Sequence, residues 1–130
     1  MYLLDSNAVI AMLRGHAVLT KRLRERKPDE FAVPAIAAHE LYYGAFKGQK
    51  ADENVPRVDA IPFRVLEFDR EDARCAGELR AKLRLAGSQI GPYDMLIAGQ
   101  AISRSLILIT HNTREFSRVP LLQFEDWELE

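Results

Sequence analysis

The sequence lacks the features that would tie it to an export route, a membrane or a zinc centre. Its 130 residues include one cysteine, Cys75. A single thiol cannot close an intramolecular disulfide, so a reducing compartment is expected. Cys75 falls in a helical pattern and reads as a small buried hydrophobe rather than a reactive group. No run of about 18 apolar residues occurs, so no membrane span is expected. Met1 leads through Tyr2-Leu3-Leu4 straight to Asp5, with no basic segment and no long apolar one, and the chain reads as cytoplasmic. An excess of one charge is also missing. The formal net charge is −1, so a nucleic-acid partner would have to be met by a local patch. His16, His39 and His111 have no Cys or His neighbours at zinc spacing. No serine or cysteine nucleophile stands beside a histidine partner. There is no repeat, low-complexity segment or linker. Residues 1–130 are expected to form one domain, and 48% apolar content supplies a core.

What is present alternates strand with helix. Tyr2-Leu3-Leu4 predicts a short buried strand, with Ser6 or Asn7 capping a helix from Ala8 to Leu13 that Gly15 stops. Val18 to Arg26 has helical spacing. Phe31-Ala32-Val33 predicts a second strand, and Pro34 is expected to open a helix that reaches Phe46. Ala51 to Ala60 reads as a further helix, interrupted by Pro56. Phe63 to Phe68 alternates like a strand. Asp69 is expected to cap a long helix, Arg70 to Ala86, closed by Gly87. Tyr93 to Arg104 is an apolar helix. Leu106 to Thr110 is apolar throughout, as befits a strand covered on both faces. His111 to Phe116 reads as a loop or single turn, and Leu121 to Trp127 holds room for one edge strand. The alternation predicts an α/β fold, a parallel sheet between helical layers, with its site beyond the carboxyl ends of the strands.

Three carboxylates interrupt stretches that otherwise read as core: Asp5 after the first strand, Glu40 in Ala37-Ala38-His39-Glu40-Leu41, and Asp94 in Tyr93-Asp94-Met95-Leu96. An unpaired buried carboxylate costs several kcal/mol, so such groups pair, shift their pKa or bind a metal. Three of them with little cationic compensation point to a hard divalent cation and to chemistry on phosphate esters. Each also has a plainer explanation: a helix cap for Asp5, a solvent-facing helix position for Glu40, the helix dipole for Asp94. Their joint occurrence favours the metal. Ser6, Asn7 and Thr110 stand close enough in sequence to orient ligands or water, although capping accounts for Ser6 and Asn7. Asn112 is either a turn residue or a neutral partner near the cation. Glu115 is either exposed or a further carboxylate. Arg114 adjoins the proposed site and is the best of the basic residues for holding a phosphate backbone. For Lys47, Lys50, Arg80, Lys82, Arg84 and Arg104 a solvated helix face is the simpler reading. Tyr42, Tyr43 and Tyr93 could stack on bases, with core packing the simpler reading of Tyr42.

Five segments carry a resemblance: Leu3-Leu4-Asp5-Ser6-Asn7, Val33-Pro34-Ala35-Ile36, Glu40-Leu41-Tyr42-Tyr43-Gly44, Ile90-Gly91-Pro92-Tyr93-Asp94-Met95-Leu96-Ile97-Ala98 and Leu108-Ile109-Thr110-His111-Asn112-Thr113-Arg114-Glu115-Phe116. In this order and spacing they resemble PIN-domain proteins, specifically the VapC toxins of toxin–antitoxin pairs. The closing Phe124-Glu125-Asp126-Trp127 resembles the end of VapC proteins. The resemblance implies a three-layer α/β/α sandwich and a Mg²⁺- or Mn²⁺-dependent endoribonuclease that inhibits translation. Asp5, Glu40 and Asp94 fall on the family's acidic positions as catalytic residues and metal ligands. Where many members carry a fourth acid, this chain has Asn112. The Ile-Gly-Pro-Tyr-Asp and Asn-Thr-Arg-Glu-Phe forms are similar to members that cut initiator tRNA in its anticodon stem-loop. The resemblance also implies a VapB-type antitoxin partner, with an arginine near the acids, and a homodimer.

Two other classes compete. A phosphatase of the haloacid-dehalogenase kind would use Asp5 as nucleophile, but Asn7 stands where it needs a second aspartate. A catalytically inactive PIN-like module that binds RNA or a partner is favoured by Asn112 and opposed by Asp5, Glu40 and Asp94.

Overall fold

The computed structural model describes all 130 residues. Strands β1 (Tyr2–Leu4), β2 (Phe31–Pro34), β3 (Arg64–Leu66), β4 (Ile107–Ile109) and β5 (Phe124–Glu125) form one sheet in the order β3-β2-β1-β4-β5. Every pairing is parallel. Around it lie helices α1 (Ser6–Leu13), α2 (Ala17–Arg24), α3 (Ala35–Lys47), α4 (Ala51–Asp59), α5 (Arg70–Leu85), α6 (Pro92–Ser103) and α7 (Thr113–Phe116). This is the three-layer sandwich the alternation predicts. The central strands are short apolar runs because both faces are covered: Leu3, Leu4 and Leu108 are fully buried. β3 pairs on one side only and exposes Arg64 and Val65, which limits it to three residues of the alternating Phe63–Phe68 stretch.

The chain runs outward through β1, β2 and β3, then returns to lay β4 against the other side of β1. The strand order reverses between β1 and β4, where the flanking connections diverge and leave a crevice. The register pairs Leu4 with Ile109. Asp5 and Thr110 therefore leave the sheet side by side, and the Asp5 N–H donates to the Ile109 carbonyl at 3.3 Å.

Away from that edge, α5 and α6 pack with almost no space between them. A Cβ built on Gly99 would lie 2.6 Å from Ala76 Cα. The same interface holds fully buried Asp72. It caps α5 reciprocally with Asp69, accepts from Gln100 Nε2 at 3.1 Å and pairs with Arg104 at 2.9 Å. Burial raises the Asp72 pKa, but Arg104 and the hydrogen bonds outweigh it and hold the carboxyl below its usual range.

Several local expectations change. Asp5, not Ser6 or Asn7, caps α1, its Oδ1 accepting from Ala8 N–H at 2.8 Å. Pro34 closes β2 rather than opening α3, since its extended ψ still allows strand pairing with Leu66. Cys75 is half-buried on α5, not core, because that helix buries only the stripe of Asp72, Ala76, Leu79 and Leu83. Pro56 lies inside α4, a helix with no buried residue, so the carbonyl it leaves without a donor can face water. No helix is long and apolar enough to cross a membrane.

Candidate active site

Asp5 is 3% exposed at the end of β1. Burial pushes its pKa from 3.8 to about 6; Glu128 and Glu40 add repulsion, while hydrogen bonds from Thr110 and Ala8 oppose it. Glu40 projects from α3 into the same field. Its Oε1 is closed off from solvent and has no hydrogen-bond partner. Asp94 sits in the first turn of α6. Burial, followed by the charges of Glu115 and Asp5, raises its pKa to about 7.

Glu115, on α7, completes the group. Its Oε1 accepts the Gly91 N–H and its Oε2 accepts Asn112 Nδ2 at 2.9 Å. The same Nδ2 reaches Asp94 Oδ2 at 3.3 Å. The carboxyls of Asp94 and Glu115 are themselves hydrogen-bonded. Burial pushes Glu115 upward, but the Gly91 N–H, the Asn112 amide and the shared proton bring it below its usual value. The two carboxyls are pushed apart in affinity for a proton, Asp94 upward and Glu115 downward.

Asn112 therefore lies among the acids and is not a free turn residue. Thr110 is buried; its hydroxyl serves Asp5, and its Oγ1 accepts the Asn112 N–H at 3.0 Å. Ser6 is half-buried and Asn7 exposed at the start of α1. Arg114 is exposed beside the site and forms no ion pair. Arg104 is committed to Asp72 and Asp69. Tyr42 is half-buried and ties α3 to α4 through its hydroxyl on Asp59, so it is neither core nor a free stacking platform.

Sequence reasoning missed Gly91 and the tail. A Cβ at Gly91 would sit 3.2 Å from Glu115 Oε1, so the missing side chain lets a carboxylate reach the backbone. The glycine before Pro92 was a legible signal for a helix start, but not for this contact. Glu128 reaches Asp5 electrostatically from the far end of the chain, and nothing in its local sequence signals that.

The donor chemistry fits a hard divalent cation. All donors are oxygens from separate elements, one buried carboxylate oxygen is orphaned, and no Lys or Arg is ion-paired with Asp5, Glu40, Asp94 or Glu115. These acids are not drawn into a tight knot. The one set of three donor groups within 4.8 Å of one another is His111, Asp126 and Glu128, at the rim. No three of the central acids offer oxygens within that distance, so an ion among them would be reached partly through its own waters.

A parallel α/β/α sandwich with acids converging beyond β1 and β4 matches a known family. The PIN domain family model matches residues 2–122, and the chain belongs to that family. Within it the chain belongs to the VapC group. It is 35% identical over 128 residues to a Shigella flexneri protein named tRNA(fMet)-specific endonuclease VapC, covering 97% of both chains. Against the Salmonella typhimurium protein of the same name the identity is 36% over 131 residues, again 97% of each. The solved structure of DNA-bound VapBC from Salmonella typhimurium superposes with a TM-score of 0.89 at 35% identity over 97% of both chains.

Proposed function

We propose that this protein is the toxin of a VapBC-type pair, a Mg²⁺- or Mn²⁺-dependent endoribonuclease whose Asp5, Glu40 and Asp94 hold the cation. The observation that carries this reading is the convergence of those acids around a buried, partnerless Glu40 Oε1, with the Asp94 pKa raised to about 7 by burial and by neighbouring carboxylates. Such a site gains by exchanging its proton for a cation. The cation supplies charge neutralisation at the scissile phosphate and makes water more acidic.

The chain's own residues do the rest. Thr110 and the Ala8 N–H fix both rotation and charge of Asp5. Asn112 donates between Asp94 and Glu115 and keeps the two carboxylates oriented. Glu115, held charged by Gly91 and Asn112, adds a fixed negative charge beside Asp94. Hydrolysis forms one P–O bond to water and breaks one P–O ester bond, and the departing oxygen gains a proton. The VapC relatives named for tRNA(fMet) support initiator tRNA as the substrate.

The antitoxin reading rests on VapBC relatives and on a groove of about 360 Å³ between α1, α3 and α4. Ile10, Leu13, Leu41 and Val58 give it an apolar wall, and Glu40 stands at its end. Tyr43 and Phe46 are exposed nearby on α3. An apolar segment seated there would bring an arginine within reach of the acids.

The test is incubation of partner-free protein with total tRNA and Mg²⁺ or Mn²⁺, beside Asp5→Asn and an EDTA control. A discrete fragment, absent from both controls, is expected. Cleavage that persists with Asp5→Asn or EDTA would refute the assignment. Metal-bound, folded protein that leaves all tRNA intact would favour the inactive binding module.

A further inference from the structure

A second polar groove, of about 620 Å³, opens on the other side of α1. Asn7, Arg14, His16, His111, Asn112 and Glu128 line it. Asn112 also touches Asp94 and Glu115, so the groove begins at the carboxylates. We propose that this groove seats the RNA strand next to the scissile phosphate, with Arg14 and His111 contacting its backbone and Asp126 positioning His111. The proposal rests on the ribonuclease reading and adds the binding track to it.

The groove's wall is built so that its donors face outward. The His111 ring is 59% exposed, and its Nδ1 bonds Asp126 Oδ2 at 2.9 Å. The carboxylate acceptor fixes the proton on Nδ1 and leaves Nε2 without a protein partner. Asp126 is itself held: its side chain is 7% exposed, and its Oδ1 accepts the Glu128 N–H at 3.0 Å. This is the arrangement by which a carboxylate fixes an imidazole's tautomer and orientation. Arg14 is exposed at the end of α1 and forms no ion pair, so its charge is unspent.

The cluster of His111, Asp126 and Glu128 differs from the central acids in one respect that argues against a second cation. Its carboxylates already face N–H groups: Asp126 is hydrogen-bonded, and Glu128 has the His16 and His111 rings at 3.7 and 3.9 Å. His16 Nδ1 accepts from Leu19 N–H at 3.3 Å, so the proton lies on Nε2, which faces Glu128 at 3.7 Å. His111 and the Glu128 backbone serve Asp126. No buried oxygen there is orphaned, in contrast to Glu40. What remains for a ligand is a guanidinium and an imidazole edge. A polyanion approaching a group of carboxylates needs such groups beside it, because phosphate contacts dominate affinity and position the strand.

Two measurements test this. Anisotropy of a labelled RNA hairpin in EDTA reads binding without cleavage, and steady-state cleavage in Mn²⁺ separates KM from kcat. Arg14→Gln is expected to weaken binding about tenfold and to lower the slope of log affinity against log salt by about 0.7. His111→Ala is expected to weaken it about fivefold, with KM rising and kcat holding. Asp126→Asn should match His111→Ala, and the double variant should lose no more than either alone. A merely structural role for Asp126 would show as additive loss and a lower unfolding midpoint. Arg14, being exposed and unpaired, is the variant that leaves folding unaffected. If wild type cleaves RNA while Arg14→Gln and His111→Ala bind and cleave as wild type does, the groove assignment is overturned and the ribonuclease reading stands. If wild type neither binds nor cleaves RNA, both fall. Tight Zn²⁺ uptake that His111→Ala abolishes, with RNA affinity unchanged, overturns the groove in favour of a rim cation site.

Discussion

Asp5→Asn should make the metal-free protein more stable while abolishing cleavage. Asp5 is 3% exposed, and its pKa in the fold is about 6 against an ordinary 3.8. A raised carboxylate pKa means that ionisation is penalised in the folded chain but not in the unfolded one. The penalty is absent well below pH 4, grows between pH 4 and 6, and is complete above pH 6. The displacement from 3.8 to about 6 corresponds to about 3 kcal/mol. Asparagine carries no charge, retains an oxygen for the Ala8 N–H and keeps the side-chain volume, so it escapes the penalty. For a chain of this size the unfolding midpoint should rise by about 10 °C at pH 8 in EDTA. The gap should close as the pH falls from 6 toward 4. Saturating Mn²⁺ should reverse the order of benefit. Cation at 100 times its dissociation constant stabilises wild type by about 2.7 kcal/mol, and the variant far less. The assay is thermal unfolding at several pH values, with EDTA or Mn²⁺. A variant less stable than wild type at pH 8 in EDTA, or a gap that ignores pH, would refute the reasoning.

Four further outcomes follow from the same geometry. Cation affinity should climb from pH 5 to 8 and flatten above, because Asp5 near 6 and Asp94 near 7 must release protons before an ion binds; calorimetry in two buffers of different ionisation heat checks the proton release. Glu40→Gln should weaken Mn²⁺ binding at least about tenfold, with unfolding shifted by less than about 1 kcal/mol, since the oxygen it replaces has no protein partner. Asn112→Asp should cost the metal-free fold about 1–3 kcal/mol at pH 8, by removing the amide that donates to both Asp94 and Glu115, yet should tighten Mn²⁺ binding; urea unfolding and calorimetry read the two signs. Gly99→Ala should cost about 3 kcal/mol or more in urea unfolding, because the new Cβ meets Ala76 backbone at 2.6 Å.

The fold was legible where periodicity and burial agree. Leu106 to Thr110 reads as a two-sided strand because nothing polar interrupts it, and α5 is announced by Asp69 at its start and Gly87 at its end, the latter with φ of 67°. The sequence leaves the cap of α1 between Ser6 and Asn7, with capping only the plainer reading of Asp5, and it is Asp5 that caps. Asp, Ser and Asn are all good caps, and only backbone geometry shows which one turns inward. Cys75 was misjudged because a helical stripe in sequence does not say how far round the helix the core extends.

The candidate site divides in the same way. Local sequence marked Asp5, Glu40 and Asp94, since a carboxylate inside an apolar stretch is conspicuous wherever the chain later goes. It also determined the α/β class, because strand and helix periods are local properties. The tertiary structure alone decided that β4 returns beside β1, which brings Thr110, Asn112 and Glu115 to Asp5 and Asp94. It alone let Gly91 reach Glu115, and it alone carried Asp126 and Glu128 from the tail to His111 and His16. Those contacts span long stretches of chain, so they depend on strand order and register, which no local window contains.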